Sequence, residues 1–448
     1  LASNATIKLL ITEVKNDIAS AGVSKISSHF RPNKEKIVSC LNRPFHFDIY
    51  DCSNKTKQQL KTITTKVFKI MGISSVDFGR HELDSLTRIL QLHTVYNILL
   101  VTGQQSYNKN PLRCHFESLL DGYHVWRYDA FKVNPTMDDL IKGAKIVAEL
   151  KPDLIIGVGG GSVLDTAKLL CILPNNEQEI EDTIKGIRSV VESKIKLILI
   201  PTTAGSGSEA TPFAISYIQK TKYSIASPWL LPDHVIIDPA LSDSMPAYLT
   251  AVTGSDALAQ AIESFWSVNA TKESLEYARE SIANILPSFE EAVHAPSKHA
   301  RDKMMLGSYQ AGKAINITKT TAPHALSYGF TQHYGIPHGH AVMLSLPEIF
   351  RLNTYKALDE LSDKLSYLEY PKRIKKLCQL FGKEEPEEVA LYIEKLLDKI
   401  GLERKLRKLG IPVDDLPLLV DQVNIERLNN NPIRLTRQQL LTVLENIY

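Results

Sequence analysis

The stretch from Met137 to Leu170, MDDLIKGAKIVAELKPDLIIGVGGGSVLDTAKLL, constrains the fold more than any other part of the chain. Its first part spaces apolar residues three and four apart, as an amphipathic helix does. DLIIGVGG is an apolar run of strand length, and after the glycines VLDTAKLL resumes the helical spacing. A strand that runs through a glycine turn into a helix belongs to a parallel crossover unit, because parallel neighbours need a helical connection. Glycines at the strand's carboxyl end let backbone N–H groups approach a pyrophosphate, whose charge the helix N-terminus favours. By themselves such glycines equally fit a plain tight turn. LDSLTRILQL before NILLVTG supplies another helix and strand, so residues 73–238 are expected to form a Rossmann-like α/β domain with a helix-covered parallel sheet.

Beyond Asp238 the pattern changes to long helices through the C-terminus, which predicts an all-α second domain over residues 239–448. Within it, TGSDALAQAIESFW puts Asp256 and Gln260 four apart on one helical face. HALSYGFTQHYGIPHGH adds His324 at a helical start and His338 after a proline turn. A carboxylate, an amide oxygen and two imidazoles suit one divalent cation, Fe(II) or Zn(II) first and then Mn(II). Taken one at a time, each of the four also fits an ordinary polar helix or loop position.

Composition narrows the class. The 448 residues suffice for two or three domains, and a formal net charge of +2 with no basic stripe gives no footprint for nucleic acid. No apolar run approaches a membrane span. Cys40, Cys52, Cys114, Cys171 and Cys378 are scattered and odd in number, against a disulfide framework and for a reducing cytoplasmic setting. No signal peptide is expected, and the Leu1 start reads as a piece of a longer polypeptide. Residues 1–72 read as helix, strand and helix, with 12 Lys and Arg against 5 Asp and Glu. They read as an N-terminal addition of unknown role, such as the end of a preceding domain.

TTAGSGSEAT, then DP, TGSDALAQAIES, PHALSY and IPHGHAV, in that order and spacing, resemble the iron-dependent alcohol dehydrogenase superfamily. DFGRHELDSL at Asp77–Leu86 fits the family's usual start, and NNNPIRLTRQQLLTVLENIY its close, so the resemblance covers about residues 75–448. It implies that Asp256, Gln260, His324 and His338 are the metal ligands. Gln260 stands where the family has histidine, and Tyr328 replaces a histidine usually beside the substrate. Gly159, Gly160, Gly161, Ser162, Asp165 and Lys168 match the pyrophosphate turn GGGSxxDxAK. Thr202, Thr203, Gly205 and Ser206 match the loop that packs round the nicotinamide and ribose. Many NAD-specific relatives carry an Asp where Gly103 stands here. Nothing at Gly103 repels a 2′-phosphate, which Ser106, Asn108 or Lys109 would bind, so NADPH is expected before NADH. An alignment one residue out would leave both nucleotides acceptable.

KAINITKTTAPHALSY crowds Asn316, Thr318, Lys319, Thr320 and Thr321 ahead of His324, and a cation among amides and hydroxyls suggests a bound oxyanion. Lys222 and Lys313 are further sources of charge. With Gln260, this pattern resembles the phosphonoacetaldehyde reductase branch of the superfamily. That resemblance implies reduction of phosphonoacetaldehyde to 2-hydroxyethylphosphonate in phosphonate biosynthesis, with Lys319 clamping the phosphonate. Tyr328, His333, His340 or a water relay is expected to supply the proton to the forming alkoxide. A homodimer is admitted; neither a nucleic-acid nor a membrane partner is expected. The rival readings are a dehydrogenase of the same superfamily acting on another small aldehyde, alcohol or diol, a cyclase-type lyase, and a metal-free scaffold.

Overall fold

In the computed structural model, the described residues are 74–219, 221–355, 360–423 and 425–448. The helix–strand–helix reading of residues 1–72 lies outside them. Eight strands are described: β1 Ser75–Phe78, β2 Asn97–Thr102, β3 His124–Tyr128, β4 Leu154–Gly159, β5 Lys196–Pro201, β6 Phe213–Ile218, β7 Thr221–Ala226 and β8 His234–Ile237. Six of them form one parallel sheet in the order β1-β8-β5-β4-β2-β3. β6 and β7 make a separate antiparallel hairpin.

The central strands are apolar on both faces because helices cover both. Leu99, Ile155, Leu197 and Leu199 point into one core. Their neighbours Ile98, Leu100, Ile156 and Ile198 point into another. Alternating side chains of each strand thus serve opposite faces, as expected of a doubly covered parallel sheet. The winding reverses between β2 and β4, since β2 leads outward to β3 while β4 continues inward to β5. The crevice at the carboxyl ends of those two strands is where such sheets bind ligands.

From Ala247 onward the structure is helical. The Ala247–Trp266 helix is buried along most of its length, which is why its sequence is apolar nearly all round. It packs against the Lys272–His294, Lys298–Thr318 and His338–Tyr355 helices. Thr271 and Ser297 cap the first two of these with their hydroxyls. Among the described residues no helix is long and apolar enough to cross a membrane.

Candidate functional site

β4 delivers Gly159 and Gly160 to the crevice, and the Gly161–Ile172 helix starts there. The glycines answer a packing demand. A Cβ on Gly159 would meet Val163 at 2.5 Å, and one on Gly161 would meet the Ser206 hydroxyl at 2.8 Å. The turn therefore lies tight against the Thr203–Ser206 loop that follows β5, leaving backbone N–H groups at a helix N-terminus open to an anion. Ser162 accepts a bond from the Asn134 N–H at 3.1 Å. Asp165 accepts from the Ser208 hydroxyl at 2.6 Å and the Ile215 N–H at 3.0 Å.

Lys168 departs from expectation. It is fully buried, and its ammonium donates to the Ser208 hydroxyl at 2.9 Å and to the Thr211 and Phe213 carbonyls at 2.8 Å. Burial pulls its pKa down to about 8 against the pull of Asp165 and Glu209. Lys168 thus ties down the loop leading into β6 and does not line the cavity beside the turn.

At the end of β2, Gly103 starts a short helix, and Ser106, Gly159 and Thr202 line a narrow cleft beside it. The expected phosphate-binding Lys109 is exposed and outside that lining. A cation missed in the sequence lies close by. Arg127 on β3 donates to the Thr102 hydroxyl at 2.8 Å, the Asn108 amide oxygen at 2.7 Å and the Gly103 carbonyl at 3.2 Å, and it pairs with Asp129 at 2.9 Å. Only the parallel register of β2 with β3 brings it there.

Across a cavity of about 520 Å³, Gly161, Ser162, Asp165, Thr203 and Ser206 face Asp256, Gln260, His324 and His338. Asp256 and Gln260 project one turn apart from the Ala247–Trp266 helix, His324 from the first turn of the Ala322–Tyr334 helix, and His338 from the start of the next helix. Asp256, His324 and His338 each offer a ligand atom within 4.8 Å of the other two. His324 Nε2 lies 3.2 Å from the Asp256 carboxylate. Its Nδ1 bonds the buried Glu263 carboxylate, which also accepts from the Thr321 N–H at 2.9 Å and the Thr321 hydroxyl at 2.7 Å. A carboxylate behind a ligating imidazole fixes its tautomer and raises its basicity.

The charges agree. Burial raises the Asp256 pKa, but the His324 bond and the neighbouring His338 hold it below its ordinary value. Burial lowers His324, yet Glu263 and Asp256 lift it to about 10. His338 falls to about 3, through burial first and the Lys222 charge second. The Gln260 amide donates to the Ser206 carbonyl at 3.3 Å, while its oxygen is buried without a hydrogen-bond partner. The Asp256 carboxylate and the His324 and His338 imidazoles fit a borderline divalent cation, and Gln260, whose oxygen is orphaned, lines the same cavity.

Glycine sets how closely these helices meet. A Cβ on Gly339 would lie 2.0 Å from the Val252 carbonyl and 2.9 Å from the Asp256 Cβ, so only glycine lets the His338 turn rest on the helix that carries Asp256.

Of the expected substrate group, Lys319, Thr320 and Tyr328 line the cavity. Asn316, Thr318 and Thr321 do not. Thr318 bonds Ser264 and the Ala314 carbonyl inside the helix packing. Thr321 links the Trp266 indole to Glu263. Both hydroxyls are thus consumed by internal bonds, which corrects their assignment to substrate. Lys319 has φ 60°, donates to the Asn316 carbonyl at 3.2 Å and sits 3.5 Å over the Phe213 ring. Lys313 lies over the Tyr277 ring, outside the cavity lining. As proton donors, His333 and His340 are corrected as well. His333 bonds Gln422 at 2.6 Å and His340 the Glu403 carbonyl at 2.7 Å, both outside the cavity.

Tyr328 stacks on His338 with 6.2 Å between ring centroids, and the Lys222 ammonium lies 3.9 Å from the centre of its ring. Burial pushes the phenol up, but Lys222 and Arg427 bring it below its ordinary value. Arg427 also lines the cavity and went unnoticed in the sequence, because it sits far down the chain in a short helix with no motif around it.

Comparison with known proteins agrees with this architecture. Residues 74–239 match the model for iron-containing alcohol dehydrogenase, and residues 250–448 the model for the C-terminal part of the Fe-containing alcohol dehydrogenase family. A long-chain-alcohol dehydrogenase of Geobacillus thermodenitrificans is 32% identical over 72% of this chain and 82% of its own length. A phosphonoacetaldehyde reductase of Streptomyces viridochromogenes is 27% identical over 68% of this chain and 79% of its own. The crystal structure of a sulfoacetaldehyde reductase from Bifidobacterium kashiwanohense with NAD+ superposes with a TM-score of 0.76 at 27% identity, covering 84% of this chain and 96% of that one. The parallel sheet, the helical half and the Asp256, His324 and His338 metal site thus converge with both family matches: the chain belongs to the iron-containing alcohol dehydrogenase family, as a metal-dependent, NAD(P)-linked alcohol dehydrogenase or aldehyde reductase.

Proposed function

We propose that this enzyme reduces phosphonoacetaldehyde to 2-hydroxyethylphosphonate with hydride from NADPH, as a step of phosphonate biosynthesis. The observation that carries the reading is the charge of the cavity: Lys222, Lys319 and Arg427 line the same space as the metal triad. Cations there suit a short aldehyde with an anionic end, since remote charge pairing orients a substrate that offers few other handles. The similarity to enzymes named for phosphonoacetaldehyde and sulfoacetaldehyde lends further support.

Asp256, Gln260, His324 and His338 would hold the cation, Gln260 through its orphaned oxygen. When bound, the cation supplies Lewis acidity toward a carbonyl oxygen and the nicotinamide supplies hydride. This chain's own residues do the rest. Gly159–Ser162 and the Thr203–Ser206 loop seat the nucleotide against the cavity, Glu263 holds His324 in its ligating orientation, and the cations fix the substrate's far end. We assign the proton transfer to the forming alkoxide to Tyr328, which lines the cavity, His333 and His340 being engaged elsewhere. NADPH is favoured because Gly103 carries no carboxylate to repel a 2′-phosphate and Arg127 stands beside it.

The test is NADPH oxidation with phosphonoacetaldehyde, sulfoacetaldehyde and acetaldehyde, on enzyme stripped by chelator and resupplied with Fe(II), Zn(II) or Mn(II). Metal-dependent turnover that favours the phosphonate is expected. Equal turnover of all three would refute the substrate assignment, and preference for the sulfonate would move it to that class.

A further inference from the structure

The metal cavity does not end at Tyr328. A second cavity of about 550 Å³ lies on the other side, lined by Lys185, Arg188 and the β7 residues Lys222–Ala226. Lys222, Ser224, Tyr328 and Arg427 line both spaces and so stand where they meet. The cations around this junction are not equivalent. Lys185 is paired with Glu181 at 2.5 Å, and Arg188 with Glu179. Lys319 turns back to the Asn316 carbonyl at the end of its own helix. Lys222 differs from these. Among the described residues no carboxylate lies within ion-pair distance of it, although Asp165 feels its charge. Its ammonium lies 3.9 Å from the centre of the Tyr328 ring, and that ring stacks at 6.2 Å on the ligand His338. Arg427 reaches the same phenol from the opposite end of the chain.

From this arrangement we infer that Lys222 and Arg427, flanking Tyr328 at the junction of the two cavities, form the subsite for the substrate's oxyanion, and that Lys319 is not its principal partner. The inference rests on the reading of the cavity as that of an anionic aldehyde. Four observations lead to it. Two cations flanking one phenol match the charge of a phosphonate better than one lysine held by its own helix. An ammonium whose nearest partner is an aromatic face has donors available for oxyanion oxygens. The two ring distances put Lys222 within about 10 Å of the His338 ring, a span that a two-carbon aldehyde bridges and a long anionic chain overshoots. Finally, Lys222 and Arg427 line the second cavity and the metal ligands do not, so an anion in that cavity meets the two cations and no metal ligand.

The experiment uses the holoenzyme, with Lys222→Met, Arg427→Met, Lys222→Arg and Lys319→Met variants checked for unchanged thermal unfolding. Two quantities are read: the ratio of kcat/KM for phosphonoacetaldehyde over propanal, and the binding of methylphosphonate by calorimetry. Removing one partner of a desolvated charge pair is expected to lower the ratio and weaken methylphosphonate binding by roughly 30-fold or more for Lys222→Met and Arg427→Met. Lys222→Arg should recover most of both, and Lys319→Met should lower each by clearly less than Lys222→Met or Arg427→Met does. If instead Lys319→Met collapses the ratio while the other two variants keep it, the subsite is wrong and the substrate reading stands. If wild-type enzyme shows no preference for phosphonoacetaldehyde yet binds methylphosphonate through Lys222, the subsite stands and the substrate is another oxyanionic aldehyde. Absence of both preference and binding overturns both.

Discussion

Replacing Glu263 by glutamine changes one atom's chemistry and should disable the metal site without unfolding it. Glu263 accepts three hydrogen bonds, from the Thr321 N–H, the Thr321 hydroxyl and His324 Nδ1. A glutamine oxygen can keep the two bonds from Thr321, so the chain running from the Trp266 indole through the Thr321 hydroxyl survives. Its amide then faces His324 Nδ1, and two donors cannot share a bond. The imidazole must present a lone pair at Nδ1 and carry its proton on Nε2. That is the nitrogen 3.2 Å from Asp256 and aimed at the metal position. Without metal the wild-type ring, lifted to about 10, also holds both protons, but once it gives one up Glu263 keeps the other on Nδ1 and leaves Nε2 free; in the variant the remaining proton sits on Nε2 and the basicity lent by the carboxylate is gone. Loss of such an outer partner typically weakens metal affinity by about 10- to 100-fold, or about 1.4 to 2.7 kcal/mol. The assay titrates Zn(II) or Fe(II) into chelator-treated wild-type and Glu263→Gln protein against a chromophoric competitor, with circular dichroism to confirm the fold. Equal metal affinity, within a factor of three, would refute the argument, because it would mean that the Glu263 bond does not set the His324 tautomer.

Three further perturbations test other parts of the structure. Gly339→Ala places a methyl 2.0 Å from the Val252 carbonyl and 2.9 Å from Asp256, so the His338 turn must lift off its helix. We expect overpacking of about 1–3 kcal/mol in urea unfolding together with loss of bound metal by elemental analysis; full metal content would show that the turn can move without cost. Gly103→Asp meets only the Ser106 hydroxyl, at 2.6 Å, which can rotate away. Its carboxylate is expected to shift binding from NADPH toward NADH by about tenfold in nicotinamide fluorescence, and an unchanged ratio would place the 2′-phosphate elsewhere. His234, whose Nε2 lies 3.2 Å from that of His93, has its pKa pulled from 6.5 to about 4 by burial and by His93. The folded state binds fewer protons there than the unfolded state, so stability is full above about pH 6.5 and is lost as pH falls toward 4, by about 3 kcal/mol. His234→Leu should flatten that part of the pH profile of urea midpoints, and an unaltered slope would exclude His234 as its source.

What the sequence shows of this site divides along the distance between partners. The crevice was legible because strand, glycine turn and helix are adjacent, and because Val163 and Ser206 leave room only for glycine at 159 and 161. Asp256 was legible for a local reason as well, from its place in an apolar helix one turn before Gln260. Failures begin where a side chain's partner is remote. Lys168 follows the phosphate-binding turn and looks like a phosphate ligand, yet the 208–213 loop, some 40 residues on, captures its ammonium. His340 is two residues from a metal ligand, but two residues rotate a helix by about 200°, and the ring turns to the Glu403 carbonyl. Thr318 and Thr321 sit among polar neighbours that suggest an anion site, and both hydroxyls are spent on packing bonds to Ser264 and Glu263. Conversely, Arg127 reaches the end of β2, and Arg427 the cavity of the metal triad, only through strand register and helix packing. Neither lies in a recognisable motif. Local spacing therefore specifies the metal triad and the glycine turn after β4. The residues that would decide which nucleotide and which aldehyde are accepted come from strands and helices that meet only in the folded chain. This is why specificity here has to be argued from Lys222, Arg427 and Arg127 and tested on them one at a time.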